Sequence, residues 1–457
     1  MLERIIPRRL LSLYHLSLAY LGAVLYGLPS RKILVIGVTG TKGKSSTVEM
    51  LNAIFEEAGR LQANQQIRGL ASPPQPAGHT TALLNSIRIK TAQKSEPNLL
   101  RMTMPGRFFI QIFLSNAVRE KCTVAILEMT SQGAAQHRHR FIDLDALIFT
   151  NIAPEHIESH GSYEEYADAK FEIGRELVRS CKRPRIIVAN SDIKESARYL
   201  ALPVERALPF SLSRCVPWHA GETGGPSTGA ATTGGHFNFD GTDIAVNLPG
   251  EFSLKNALAA ATLAREFGIA AATISSALAK LRRIPGRAET IEAGQNFTVV
   301  VDYAHTPDSL EALYKAYSPS PSLGAKRRLI CVLGATGGGR DRWKRKVMGG
   351  IANTSCEHVI LTNEDPYDED PRAIVDEVAS GMSAGGGSAS GGRPEIIMDR
   401  REAIRRALSL AHEGDAVLIT GKGTDPCICV ANGEQIPWSD ARVAREELKK
   451  LSRANNV

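Results

Sequence analysis

At 457 residues, 43% hydrophobic and 23% charged, the chain has the size for two or three domains with real cores and the composition of an ordinary soluble enzyme. Its net charge of +7 comes without a dense Lys/Arg run interleaved with aromatics, which argues against nucleic acid and fits anionic small molecules such as nucleotides. Seven cysteines, at 122, 181, 215, 331, 356, 427 and 429, are odd in number and lack paired zinc spacing, so free thiols in a reducing cytoplasm are expected.

Arg4, Arg8 and Arg9 precede Leu10 to Leu28, a stretch without formal charge. Two readings stay open for residues 1–30: a short membrane span, or a helix lying on the protein or on the membrane surface, since Ser12, His15, Ser17, Gly22 and Gly27 interrupt the apolar run. The run Lys32 to Val38 then reads as a β-branched strand that stops in Thr39-Gly40-Thr41-Lys42-Gly43-Lys44-Ser45-Ser46, and Val48, Leu51, Ile54, Phe55 and Ala58 predict a helix over Ser45 to Gly59. Strand, glycine turn and helix make a phosphate loop: glycines let backbone N–H groups face a phosphate, the helix N-terminus adds positive potential, Lys44 reaches the terminal phosphates, and the Ser45 hydroxyl is a Mg²⁺ ligand. Val38 occupies the place of the first glycine of the Walker pattern. The plain alternative is a tight βα turn with an incidental lysine.

Leu61 to Glu96 is polar and poorly periodic, and reads as loop or short β structure. A helix is expected from Phe108 to Glu120, strands at Thr123–Glu128, Ala146–Thr150 and Arg185–Asn190, and a helix from Tyr163 to Arg179 that carries Lys170. Glu128 ends a buried strand, where open α/β sheets bind ligands. Pro203 to Gly241 reads as a surface excursion or hairpin region, followed by alanine-rich helices at Ser253–Phe267 and Ala272–Leu281. Pro285 and Gly286 interrupt the helical pattern, so domains are expected at 31–285 and 286–457. The second half repeats the rhythm, with strands at Phe297–Asp302, Arg328–Leu333, His358–Leu361, Glu395–Met398 and Ala416–Thr420 and helices after Pro307, Lys344, Pro371, Arg400 and Ser439; Ala384 to Gly392 reads as an exposed loop. Gly334 to Gly339 lacks dinucleotide spacing.

The loop Thr39 to Ser45 resembles that of the Mur ligases, ATP-dependent amide-forming enzymes of peptidoglycan precursor synthesis, which also replace the first Walker glycine. Glu128 to Arg138 is similar to the Glu-Val-Ser-Ser-His stretch of their tripeptide-forming branch. Thr150 to Gly161 looks like Thr-Asn-Leu-x-x-Asp-His-Leu-Asp-x-His-Gly, with Glu155 and Glu158 in place of aspartates. Asp302-Tyr303-Ala304-His305-Thr306-Pro307 reproduces another family run. The resemblance, over residues 31–457, implies a central P-loop ATPase domain with a mainly parallel sheet and a C-terminal Rossmann-like α/β domain. It implies ATP and Mg²⁺ as cofactors, with Ser45, Glu128, His156 and a carbamylated Lys170 on the metal and Lys44, Glu128, His156 and Lys170 in catalysis. Thr39 to Ser46, Asn256, Arg287, Asp302 and His305 are then expected at the nucleotide, and Thr103, Thr130, Gln136 and Arg138 at the acceptor. Read without the resemblance, Glu128 is a structural strand end, Lys170 a solvated helix lysine, and Asp302 a cap on the helix at Pro307.

On the amino-acid side, Asp365, Tyr367, Gly421 and Asp425 are the expected contacts. Glu364-Asp365-Pro366-Tyr367 stands where diaminopimelate-adding relatives carry Asp-Asn-Pro-Arg, so the carboxylate-gripping guanidinium is absent and diaminopimelate is not predicted. Asp368, Glu369 and Asp370 favour a cationic side chain such as lysine, or else cap the helix at Pro371. Residues 1–30 are too few for the family's UDP-sugar domain. The expectation is a monomeric, cytoplasmic ligase, membrane-associated through residues 1–30, that makes an acyl phosphate on a muramyl-peptide-type acceptor. The alternatives are a folylpolyglutamate-synthase-like or polyglutamate-forming ligase, and an ATP-dependent switch without catalysis.

Overall fold

Val35, Ile36 and Val38 are fully buried because their strand lies inside a sheet covered on both faces, and that placement organises the first half of the molecule. The computed structural model describes residues 7–67, 79–155, 157–221, 234–318, 327–382 and 393–454. Its largest sheet has eight strands, in the spatial order Lys94–Pro97, Arg88–Thr91, Thr81–Leu84, Val124–Glu128, Leu34–Thr39, Ala146–Phe149, Ile186–Asn190 and Arg206–Phe210. From Thr81–Leu84 onward the strands run parallel, and the first two join as antiparallel edge hairpins.

One face of this sheet packs against the helices Lys44–Ile67, Glu251–Glu266 and Ala271–Lys280 through Val48, Leu51, Ile54, Phe55 and the small side chains of Ala257, Ala260 and Ala261. The other face is covered by Arg107–Arg119 and Tyr163–Arg179 through Ile110, Phe113, Leu114, Ile173 and Leu177. Val38 is in register with Glu128 and Thr39 with Phe149, so the phosphate loop, Glu128 and Thr150-Asn151 share the carboxyl edge.

Residues 289–420 build a six-stranded sheet ordered Glu289–Thr290, Thr298–Asp302, Ala416–Thr420, Leu329–Leu333, His358–Leu361 and Glu395–Ile396, parallel except for the first pair. Asp302 pairs with Thr420, which sets Tyr303 and Gly421 side by side. An antiparallel sheet of Trp218–His219, His236–Phe239 and Thr242–Ala245, and a ribbon of Cys427–Cys429 with Gln435–Pro437, complete the strands.

This is the mixed α/β architecture the sequence predicts, with local corrections. The phosphate-loop helix runs on to Ile67, and the short β structure that was one of the two readings of 61–96 is found as the strands Thr81–Leu84, Arg88–Thr91 and Lys94–Pro97. The expected loop at 384–392 lies outside the described residues, as do residues 222–233 of the excursion expected over Pro203 to Gly241. Cys331 and Cys356 form a disulfide, correcting the expectation of free thiols at these two positions; 25 residues apart, they meet only because the strand Leu329–Leu333 and the end of the helix Trp343–Ser355 pack together. The helix Arg8–Leu25 lies on Arg107–Arg119, buries Ala19 and Ala23, and sets Tyr20 edge-on to Phe141 at 5.2 Å. Among the described residues no helix is long and apolar enough to cross a membrane.

Candidate active site

Gly40 and Gly43 adopt φ of 146° and 78°, and each leaves room for a neighbouring side chain: a Cβ at Gly40 would meet Thr150 Oγ1 at 2.0 Å, and one at Gly43 would meet Asn256 Oδ1 at 2.2 Å. The loop is tied from outside as well. Asn151 Oδ1 accepts from the Lys42 N–H at 2.8 Å, and Thr150 Oγ1 donates to the Lys42 carbonyl at 2.7 Å. Thr41 Oγ1 sits 2.8 Å from the Tyr166 hydroxyl, and Lys44 Nζ donates to the Thr41 carbonyl at 2.9 Å.

Glu128 is buried and gathers donors: Ser45 Oγ at 2.9 Å, the Ser86 N–H at 3.0 Å and Ser86 Oγ at 3.1 Å, all on Oε2, with Lys44 Nζ 4.0 Å from Oε1. Lys170 is 2% exposed, donates to the Gly40 carbonyl at 2.7 Å and lies 4.7 Å from the centroid of the Tyr166 ring. The solvated-lysine reading of Lys170 is therefore wrong. Burial, reinforced by the nearby Lys44 ammonium, pushes its pKa well below the usual lysine range, and burial also lowers that of Lys44.

The second half meets this cluster directly. Arg287 Nη2 donates to Ser45 Oγ at 3.3 Å, and His305 Nε2 is 3.0 Å from Glu155 Oε1, which also receives Lys42 Nζ at 3.3 Å. Asp302 accepts from the Ala304 and Ala288 N–H groups, at 2.6 and 2.5 Å, while burial raises its pKa. The helix cap at Pro307 belongs to Thr306 and Ser309 instead. One cleft is lined by Lys44, Ser45, Ser46, Glu128, Lys170, Asn256, Arg287, Asp302 and His305 together.

The expected acceptor residues line the same cleft. Thr103 Oγ1 bonds Ser86 Oγ at 2.8 Å, Arg138 Nη2 donates to Gln136 Oε1 at 2.6 Å, and Thr130 caps the short helix Ser131–Ala135. Asp365, Gly421 and Asp425 line an adjoining pocket with Arg101, Arg340 and Glu364. The acidic run 368–370 does not serve that pocket. Asp370 caps the helix Pro371–Ala379, Glu369 pairs with Arg345 at 2.9 Å, and Asp368 accepts from the Asn432 N–H. Thr39, which is buried inside its strand, Gly40 and Tyr367 line neither cavity, and His156 lies outside the described residues.

Residues 38–264 match the family model described as the Mur ligase middle domain, and residues 286–423 that of the Mur ligase glutamate ligase domain. The chain belongs to the Mur ligase family. Like the rest of the family, this Mur ligase is an ATP-dependent acid–amino acid ligase. It is 34% identical to the UDP-N-acetylmuramoyl-L-alanyl-D-glutamate--2,6-diaminopimelate ligase of Syntrophomonas wolfei, with 95% of this chain and 82% of that protein covered. It is also 34% identical to the UDP-N-acetylmuramyl-tripeptide synthetase of a Roseiflexus species, with the same shares covered. A solved structure of a 2,6-diaminopimelate ligase superposes with a TM-score of 0.56 at 26% identity, covering 92% of this chain and 79% of that one. Folylpolyglutamate synthase of Mycobacterium tuberculosis shares the fold, with a TM-score of 0.63 at 18% identity over 90% of this chain and 93% of its own.

Sequence reasoning missed Ser86, Arg101 and Arg340 in this Mur ligase. Ser86 sits in a turn between edge strands, and Arg101 in a loop with left-handed backbone, where no periodicity marks a residue. Arg340 follows a glycine run that could have flagged it.

Proposed function

We propose that this Mur ligase joins an amino acid to the carboxylate of a muramyl-peptide-type acceptor in cell-wall precursor synthesis, through an acyl phosphate. The observation that carries the reading is the convergence of Lys44, Ser45, Glu128 and Lys170 with Arg287, Asp302 and His305 on one cleft. The phosphate-loop N–H groups and Lys44 hold the terminal phosphates, Asn256 and the Asp302–His305 run flank the nucleotide, and Arg287 steadies the transferring phosphoryl. Thr103, Thr130, Gln136 and Arg138 position the acceptor carboxylate in line. The amine then attacks the acyl carbon and phosphate leaves, with water kept out as the halves 31–285 and 286–457 close about Pro285-Gly286.

Ser45 and Glu128 are hard oxygen donors already in contact, a set that fits Mg²⁺. When bound, the ion neutralises phosphate charge. The part given to His156 rests on sequence alone. We assign to Lys170 a carbamate: its neutral amine adds to CO₂ and releases one proton, replacing a buried neutral amine by an anion facing Lys44 and Lys42. The depressed pKa of Lys170 supports this, because only the unprotonated amine is nucleophilic.

ATP use supports a cytoplasmic location. Leu10, Leu13, Tyr14, Leu21, Val24 and Leu25 are exposed on the helix Arg8–Leu25 and the sequence places Arg4, Arg8 and Arg9 beside them, which supports contact with an anionic membrane surface. Deleting residues 1–28 is expected to abolish co-sedimentation with anionic vesicles.

The decisive experiment is phosphate release from ATP, screened with UDP-linked and lipid-linked muramyl peptides against a panel of amino acids, with the product identified by mass. Product formed only on a folate or polyglutamate acceptor marks the alternative ligase. ATP turnover that never depends on both co-substrates marks a switch.

A further inference from the structure

The loop 136–141 carries two of the acceptor residues, Gln136 and Arg138, on a costly backbone. His137 and Phe141 hold φ of 55° and 60°, in the left-handed region that non-glycine residues keep only where their surroundings enforce it. Between them His139 is 1% exposed, and neither of its ring nitrogens has a hydrogen-bond partner among the described residues, a further penalty on this conformation. The loop nevertheless holds its guanidinium in place. Arg138 donates through Nη1 to the Met104 carbonyl and through Nη2 to Gln136 Oε1 at 2.6 Å, and both residues line the cleft with Thr103 and Thr130.

The contacts that enforce this conformation come from residues 12–31. Ser12 Oγ is 2.8 Å from His137 Nε2, and the Tyr20 ring stands edge-on to Phe141 at 5.2 Å, so the helix Arg8–Leu25 reaches both left-handed residues. Just beyond the loop, Ser30 Oγ accepts from the Asp143 N–H at 3.0 Å, and Arg31 Nε donates to Asp143 Oδ2 at 2.8 Å. Residues 12 to 31 therefore track residues 137 to 143 in order. The helix is itself seated: Ala19 and Ala23 are buried, and a Cβ at Gly22 would meet the Phe108 ring of the helix Arg107–Arg119 at 3.4 Å. On its other side the loop meets Glu176, which accepts from the Phe141 N–H at 2.9 Å and pairs with Arg140 at 3.0 Å. Glu176 fixes the Arg140–Phe141 end; Ser12 meets the end that carries Arg138.

We propose that Ser12 and Tyr20 are positioning residues of the acceptor site: the helix Arg8–Leu25 clamps the loop 136–141 in its left-handed form and so aims Gln136 and Arg138 at the acceptor. The inference rests on the ligase reading above and gives a role to a segment outside both matched domains, 38–264 and 286–423. Neither Ser12 nor Tyr20 lines the cleft, so both act through the loop. A loop released from the clamp populates its binding form less, and the apparent affinity for the acceptor falls by that fraction, while the phosphate loop, tied by other contacts, keeps its affinity for the nucleotide.

The test combines hydrogen–deuterium exchange with calorimetry on the purified full chain, loaded with a non-hydrolysable ATP analogue and Mg²⁺. The probes are UDP-N-acetylmuramoyl-L-alanyl-D-glutamate and carrier-free N-acetylmuramoyl-L-alanyl-D-glutamate. The N–H groups of His137, Arg138 and Arg140 donate to the carbonyls of Ala134, Gly133 and His137, so their exchange reads the state of the loop. A variant carrying Ser12→Ala and Tyr20→Ala is expected to exchange faster over 136–141, with exchange over 39–46 unchanged, and to bind both probes about tenfold more weakly. A variant carrying Ser12→Thr and Tyr20→Phe keeps the hydroxyl and the ring, and should match wild type in both readouts. Unchanged affinity for the ATP analogue shows that each variant is folded. Wild type that binds neither probe overturns the muramyl reading and this proposal together. Wild type that binds a probe overturns this proposal alone if the alanine variant binds it equally well, shows no faster exchange over 136–141, or loses affinity for the ATP analogue to the same extent.

Discussion

Arg287 Nη2 lies 3.3 Å from Ser45 Oγ, so an arginine at the start of the second half touches the phosphate loop of the first. Its guanidinium carbon sits 4.4 Å from the centroid of the Tyr303 ring, which orients the fork. Arg287→Ala is expected to lower kcat by on the order of 10²–10³-fold with little change in KM for the amino acid. Arg287→Lys should recover little, since an ammonium lacks the planar fork. Steady-state phosphate release measures both.

Glu128 Oε2 takes three donors, from Ser45 and Ser86. Glu128→Gln keeps the shape and removes the charge, and it should cost roughly 10²-fold or more in kcat and raise the Mg²⁺ concentration needed for half-maximal rate. An unchanged Mg²⁺ dependence would show that the carboxylate serves only as a strand-end anchor.

Lys170 carries a pH signature. Burial holds its folded pKa below the ordinary value of 10.5, so between the two the unfolded chain binds more protons. The Lys170 contribution therefore makes stability rise with pH through that window, and its destabilising effect is fully present below it. In CO₂-free buffer Lys170→Met should flatten this slope and raise the thermal midpoint at pH 7 by a few degrees. Wild-type turnover should fall on removal of CO₂ and return with bicarbonate, a response the Met variant lacks.

Gly43→Ala adds a Cβ 2.2 Å from Asn256 Oδ1 at a φ of 78°. Displacement of Asn256 and distortion of the loop are expected to raise KM for ATP by about tenfold or more, with the amino-acid KM near wild type. Asn256→Ala should show the smaller part of the same effect.

Arg400 and Asp440 form a buried pair, with Nη2 to Oδ2 at 2.7 Å, and Arg400 Nη2 also donates to the Thr420 carbonyl just before Gly421. Asp440→Asn leaves a buried cation without its counter-charge and is expected to cost about 3–5 kcal/mol of stability. Denaturant unfolding followed by near-UV circular dichroism reads the loss.

Much of the fold was legible because buried strands such as Ala416–Thr420 and His358–Leu361 are unbroken apolar runs bounded by turn residues, and their observed ends match the reading. The strands Arg88–Thr91 and Lys94–Pro97 could be read only as loop or short β structure, because residues left exposed at a sheet edge carry no burial alternation. In the site, the phosphate loop and Glu128 could be placed because chain-local geometry puts them at strand ends. Lys170 could not be told from a surface lysine without its resemblance, since burial depends on what packs over the helix.

The amino-acid order alone determined the sheet-and-helix rhythm and the phosphate-binding turn, since these depend on neighbours a few positions apart. Only the packed chain decided that Cys331 meets Cys356, that the acidic run at 368–370 is spent on caps and an arginine, and that Arg101 reaches Tyr367. Such contacts join residues separated by tens or hundreds of positions, and the burial that creates them is a property of the whole assembly of layers rather than of any local stretch.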